Sequence, residues 1–173
     1  MEALIEFGKV ILPAAVVLYG MFLTTRMFIR KEYDLKLIEL RNKNTEVIIP
    51  LRLQAYERIC LFLERITPKN LLIRLNNPDL SAADFQQLLV HEIREEFNHN
   101  LSQQVYMSET SWDWVKNAME EVIMIINESR GLLNEEARGI ELARAIFENL
   151  GQRQQLGVES ALSFIKGEIQ QNF

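Results

Sequence analysis

The chain has 173 residues, 48% hydrophobic and 25% charged, with only 7 glycines and 4 prolines, which excludes disordered, collagen-like and low-complexity readings. That length suits one domain with an appendage rather than a multidomain enzyme. With 19 basic against 24 acidic residues the net charge is −5, and the single cysteine, Cys60, rules out an internal disulfide or a Cys-rich zinc site.

The amino-terminal stretch is the most apolar. Val10 to Thr25 carries no charge, with Leu4, Ile5 and Phe7 before it and Met27, Phe28 and Ile29 after. As a helix rising about 1.5 Å per residue, residues 7–29 are long enough for a hydrocarbon layer of about 30 Å. Lys9 and Arg26 sit near the two ends, where long stems reach headgroups, and Pro13 and Gly20 are tolerated in membrane helices. The first six residues hold Glu2 and Glu6, and no Ala-x-Ala follows, so a retained anchor is expected over a cleaved signal peptide. Arg26, Arg30, Lys31 and Lys36 follow the span while Lys9 alone precedes it, which places the carboxyl-terminal part in the cytosol. The competing readings are a buried core helix and the opposite orientation, since Glu32, Asp34 and Glu39 dilute the basic cluster.

Residues 30–49 read as a helical stalk, with Tyr33, Leu37, Leu40 and Val47 on one stripe. The stripe suits packing on the following domain or a short coiled coil with a second copy. Pro50 predicts a helix break and the start of a bundle domain over 50–173. Residues 51–66 put Leu53, Tyr56, Ile59, Cys60, Leu63 and Ile66 on a core-facing side, with Cys60 expected buried. A short helix follows from Thr67-Pro68 to the turn at Asn76-Asn77-Pro78. Ser81 and Asp84 form a capping pattern that opens a long helix predicted over 82–107.

Ser108 or Thr110 caps the next helix, over 111–129, with Trp114, Val115, Ala118, Val122, Ile125 and Ile126 inward and Gly131 at its stop. Asn134 is read as the cap of a helix to about Leu150, with Glu135 and Glu136 in its first turn. A last helix spans 157–171 with Val158, Ala161, Leu162, Ile165 and Ile169 inward. No stretch alternates with period two and no repeat is evident, so the expected fold is all-α: a transmembrane anchor over 1–29, a stalk over 30–49 and a small cytosolic bundle.

Few residues carry a chemical signal. His91 and His99 lie on one predicted helix, but Glu95 stands four residues after His91, so the metalloprotease pattern fails. Glu96 and His99 match a Glu-x-x-His spacing, and Glu92, Glu96 and His99 fall within a sector of about 60°, which allows one metal ion without the second pair that a di-iron bundle needs. The plainer reading is a boundary histidine among solvated acids. Cys60 has no histidine near it in sequence and reads as a small core hydrophobe. No glycine-rich phosphate loop is present. Residues 51–173 carry 12 basic and 18 acidic side chains, which disfavours nucleic acid as a partner. Tyr106, Trp112 and Trp114 either anchor a partner or seal a helix junction.

The segment Leu51-Arg-Leu-Gln-Ala-Tyr-Glu-Arg-Ile-Cys-Leu-Phe-Leu-Glu-Arg-Ile66, with Glu95-Glu-Phe-Asn-His-Asn-Leu-Ser-Gln-Gln-Val-Tyr106, resembles an uncharacterised family of single-pass, helix-rich proteins of Bacteroidota-type bacteria. The resemblance implies a bacterial inner-membrane protein and transfers no activity or site residue. The expectation is therefore a membrane-anchored adaptor or accessory subunit, with the lipid bilayer as partner through residues 7–29 and a protein partner for the bundle. No cofactor, metal or catalytic residue is expected. The alternatives are a small metal- or ligand-binding enzyme using Glu92, Glu96 and His99, and a self-associating membrane scaffold.

Overall fold

The computed structural model describes residues 2–77, 79–153 and 155–172, and the side chains among them except those of 2–8, 10, 41, 42, 44 and 172. Six α-helices follow in order among the described residues: α1 (Glu2–Ile66), α2 (Pro68–Leu75), α3 (Ala82–Asn100), α4 (Glu109–Gly131), α5 (Gly139–Gly151) and α6 (Gly157–Asn172). A 3-10 segment, Leu101–Tyr106, lies between α3 and α4. No strand is present among these residues, so the all-α expectation holds. The chain divides into two compact units, Met1–Ile48 and Ile49–Phe173.

The first unit is helical throughout its described length, and its described side chains are exposed. Leu12, Val17, Leu18 and Met21 each keep more than 65% of their surface open. The Thr24 and Thr25 hydroxyls donate to the carbonyls of Gly20 and Met21, both at 2.8 Å, so these polar groups are satisfied inside the helix.

The second unit has a single core. Tyr56, Ile59, Phe62, Leu63 and Ile66 from the end of α1 join Phe85, Leu89 and Ile93 of α3, Val115, Val122, Ile125 and Ile126 of α4, Leu142 and Ile146 of α5, and Val158, Ala161 and Ile165 of α6. Helix α3 packs against α4 and α5, and α4 against α6. The 4-3 spacing of these positions is what turns each helix's apolar face inward. Phe62 and Ala55 are buried in addition to the positions expected on α1, whereas Leu53 is exposed and Cys60 only half-buried.

Three expected boundaries and one inward-facing residue are corrected. Pro50 does not break the chain: α1 passes through it. Its ring lies on an exposed face, where water can hydrate the carbonyl left without an amide partner. The long helix ends at Asn100 rather than 107, because the Asn100 amide donates to the Glu96 carbonyl at 2.8 Å, and the next six residues tighten into the 3-10 segment. Asn134 does not cap α5. Ala82 N–H donates to the Ala137 carbonyl and Gly139 N–H to the Leu80 carbonyl, at 2.8 and 2.9 Å, which holds Arg138 extended and delays the helix to Gly139. Glu141 then caps it, accepting from Arg138 N–H at 2.8 Å. On α4, Trp112 rather than Trp114 turns inward, at 8% against 37% exposed, because Trp112 shares the 3-4 ridge of Val115, Met119, Val122 and Ile126.

Ser81 caps α3 as expected, and of the two candidates Ser108 and Thr110 it is Ser108 that caps α4, so the helix starts at Glu109 rather than 111. Ser81 Oγ accepts from Asp84 N–H and Ser108 Oγ from Ser111 N–H, both at 3.1 Å. Helix α2 spans the expected short segment, and Pro78 of its closing turn lies outside the described residues.

Candidate functional site

The most concentrated polar arrangement in the bundle centres on Glu168 of α6. The core stripe of α6 runs through Ala161 and Ile165, and Glu168 is the next position on that face, so its carboxylate is carried toward α1 and α4. Tyr56 O–H donates to it at 2.6 Å, Ser108 O–H at 2.9 Å, and the fully buried Ser111 hydroxyl also donates to it. Ser108, which caps α4, thus uses its oxygen as an acceptor for Ser111 N–H and its proton for Glu168.

Burial by itself would push the Glu168 carboxyl up, but the hydrogen bonds from Ser111, Tyr56 and Ser108 outweigh it and hold the group below the usual carboxylate value. Burial and the neighbouring Glu168 push the Tyr56 phenol up, against a smaller opposing pull from Arg52. Arg52 itself donates to the Tyr106 carbonyl at 3.1 Å. The result is an ionised carboxylate surrounded by neutral hydroxyl donors. A cleft of about 410 Å³ opens beside it, lined by Ser108, Ser163, Phe164, Gly167, Glu168 and Gln171. Chemically, a carboxylate saturated with donors is a weak base, and the serines, with no imidazole against them, are not activated as nucleophiles. The arrangement ties α1, α4 and α6 together.

Of the residues singled out from sequence, Glu96 and His99 line one cleft, whereas Glu92 and His91 lie elsewhere. Glu92 pairs with Arg74 of α2 at 3.1 Å and Glu96 with Arg65 of α1 at 3.3 Å. His99 is exposed in a cleft of about 520 Å³ with Arg58, Leu61, Arg65, Glu96 and Asn100. His91 lines a separate polar cleft of about 480 Å³ with Gln86, Gln87, Val90, Arg94 and Asn127. Among the described residues no three His, Cys, Asp or Glu side chains gather as a metal site. Burial raises the Cys60 thiol, with Lys166 opposing and Glu64 reinforcing the rise, so the sulfur stays protonated near neutral pH. Trp112 stacks on Phe97 at 5.4 Å, and Phe97 packs on Phe62 at 5.8 Å, sealing the junction of α1, α3 and α4. Trp114 stacks on Phe164 at 5.6 Å and stays partly open.

Sequence reading missed Glu168 because its partners lie 57, 60 and 112 residues away. One signal was available: an acid placed on the apolar stripe of α6.

No curated protein and no solved structure matches this chain. One family model does, over residues 2–172, which takes in every helix described above. From its first helix to its last, this all-helical chain belongs to the family of unknown function DUF7935.

Proposed function

We propose that the chain is a single-pass protein of a bacterial inner membrane, of the Bacteroidota type, whose cytosolic helical bundle serves a membrane assembly as an adaptor or accessory subunit. The observation that carries this reading is the first unit: the uncharged run from Val10 to Thr25 is helical, and its described apolar side chains have no covering core. Apolar surface of that extent is costly in water and favourable in lipid. The internal hydrogen bonds of Thr24 and Thr25 suit a medium without water, and the basic residues from Arg26 to Lys36 favour the cytosolic side. The adaptor role is supported by the bundle itself, whose Glu168 carboxylate is taken up by Tyr56, Ser108 and Ser111 in a structural tie. Tethering confines such a bundle to the bilayer surface and raises its effective concentration for neighbours there. The paired states of Glu92 and Glu96 give the metal-enzyme alternative no support.

Full-length protein expressed in a bacterial host is expected to stay in the membrane pellet after alkaline carbonate washing; release into the supernatant sinks the anchor. With Cys60→Ser and the exposed Leu132→Cys, an impermeant maleimide should label only after the inner membrane is breached. Crosslinking in intact membranes should capture a second membrane protein. Adducts of the chain with itself alone would replace the adaptor by a scaffold.

A further inference from the structure

The cleft where the ends of α1 and α3 meet is lined by cations from the first helix and polar groups from the second. At about 100° per residue, Arg58, Leu61 and Arg65 fall within a sector of about 60° on α1, so one face presents two guanidiniums with an apolar side chain between them. Glu96, His99 and Asn100 join them from the last turns of α3, around a cleft of about 520 Å³. The two helices are held side by side there: Phe62 packs on Phe97 at 5.8 Å, and Arg65 pairs with Glu96 at 3.3 Å.

The donors of this cleft are held in place but not used up. Glu96 takes one guanidinium nitrogen of Arg65, whose side chain stays 51% open with further N–H groups to give. Arg58 and the exposed ring of His99 have no hydrogen bond or ion pair among the described residues. Asn100, only 5% exposed, donates to the Glu96 carbonyl at 2.8 Å and fixes the turn that carries His99. Two arginines against one glutamate give the lining a net charge of +1 before His99 is counted, in a bundle that is acidic as a whole. The guanidiniums that disfavour a metal ion at His99 favour an anion there.

We infer that this cleft binds a phosphate monoester. Three donor side chains from two helices, Arg58, Arg65 and His99, match the three terminal oxygens of a phosphoryl group, whereas a carboxylate offers two and repeats what Glu96 already gives Arg65. The volume exceeds that of a bare phosphate, and Leu61, 56% exposed between the arginines, offers an apolar contact to the organic body that the phosphate carries. That phosphate belongs either to a soluble molecule or to a monoester lipid headgroup such as phosphatidic acid. The inference goes beyond the adaptor reading by giving the bundle a small ligand of its own.

The chain has two histidines, and they line separate clefts, so each ring reports on its own surroundings. The test titrates phenyl phosphate into the full chain, isotope-labelled at histidine, in nanodiscs of phosphatidylcholine, and follows the two ring signals by NMR, assigned through His91→Gln. The His99 signal is expected to shift and saturate while that of His91 stays in place. Arg58→Gln should weaken binding at least about tenfold, and benzoate, the carboxylate on the same ring, should bind at least about tenfold more weakly than phenyl phosphate. An unchanged unfolding transition, read by circular dichroism, verifies that Arg58→Gln is folded. A His99 signal that does not move overturns the inference, as do equal shifts of both histidines, an affinity unaltered by Arg58→Gln, or benzoate binding as tight as that of phenyl phosphate. Phosphatidic acid placed in the nanodiscs separates the two sources. Loss of phenyl phosphate binding there identifies the headgroup as the ligand, and retained binding identifies a soluble one. No readout depends on capturing a protein partner, and a chain released by carbonate washing is titrated in buffer alone, so the two readings fail separately.

Discussion

Glu168 is the residue on which three helices converge, and its energetics follow from its donors. A hydrogen bond to an ionised group contributes more than a neutral one, about 1.5–3 kcal/mol. Ser111→Ala removes one such donor from a fully buried position, and a loss of about 1.5 kcal/mol is expected in urea unfolding. Tyr56→Phe keeps the buried ring and loses only the O–H, so it should cost no more. The pH dependence has a definite sign. Glu168 titrates below its ordinary 4.5 in the folded chain, so its contribution is complete above about pH 4.5 and is lost as pH falls through the lower folded-state value. Tyr56 titrates above its ordinary 10.0, so its contribution is complete below pH 10 and is lost as pH rises through the higher folded-state value. Glu168→Gln should therefore flatten the acid limb of a stability profile, and Tyr56→Phe the alkaline limb. An unchanged acid limb in Glu168→Gln would show that other carboxylates govern it.

At the scale of elements, helix starts separate into those written locally and those imposed from elsewhere. Ser81 and Ser108 cap α3 and α4 from within their own segments; spacing marked the first and narrowed the second to Ser108 or Thr110. Helix α6 is different: the carboxylate of Glu121, on α4, accepts from Gly157 N–H at 2.8 Å, while Arg153 bridges Glu121 and Glu128 at 3.5 and 2.9 Å. A Cβ at Gly157 would run into that carboxylate. Gly157→Ala is expected to destabilise the bundle by about 1 kcal/mol, despite alanine's better helix propensity, because it displaces the cap. Glu121→Ala in the same background should then add little, and additive losses in a double-mutant cycle would refute the shared mechanism. Helix α5 shows the same dependence: its start is set by the Leu80–Ala82 backbone, which no local pattern around Asn134 announces.

For the whole molecule, two kinds of apolar surface call for two kinds of burial. The bundle buries its own: Phe62 is fully enclosed, and Phe62→Ala should cost about 3–5 kcal/mol, read as a lowered unfolding midpoint. The described side chains of the first unit's apolar run stay open. On the membrane reading, Leu18→Arg adds about 2.5–3.5 kcal/mol to insertion and should shift protein out of the pellet. The same change in a water-facing helix would leave the distribution unaltered.

Sequence alone determined the helical class, the short α2, the serine caps and most of the core stripes, because period, capping chemistry and chain-breaking residues act within a few positions of themselves. Tertiary structure alone decided that α5 waits until Gly139 and that Glu168 meets Tyr56, Ser108 and Ser111. These outcomes depend on contacts between segments far apart along the chain. Such contacts exist only once packing has chosen the neighbours, and no periodicity within a single helix encodes that choice.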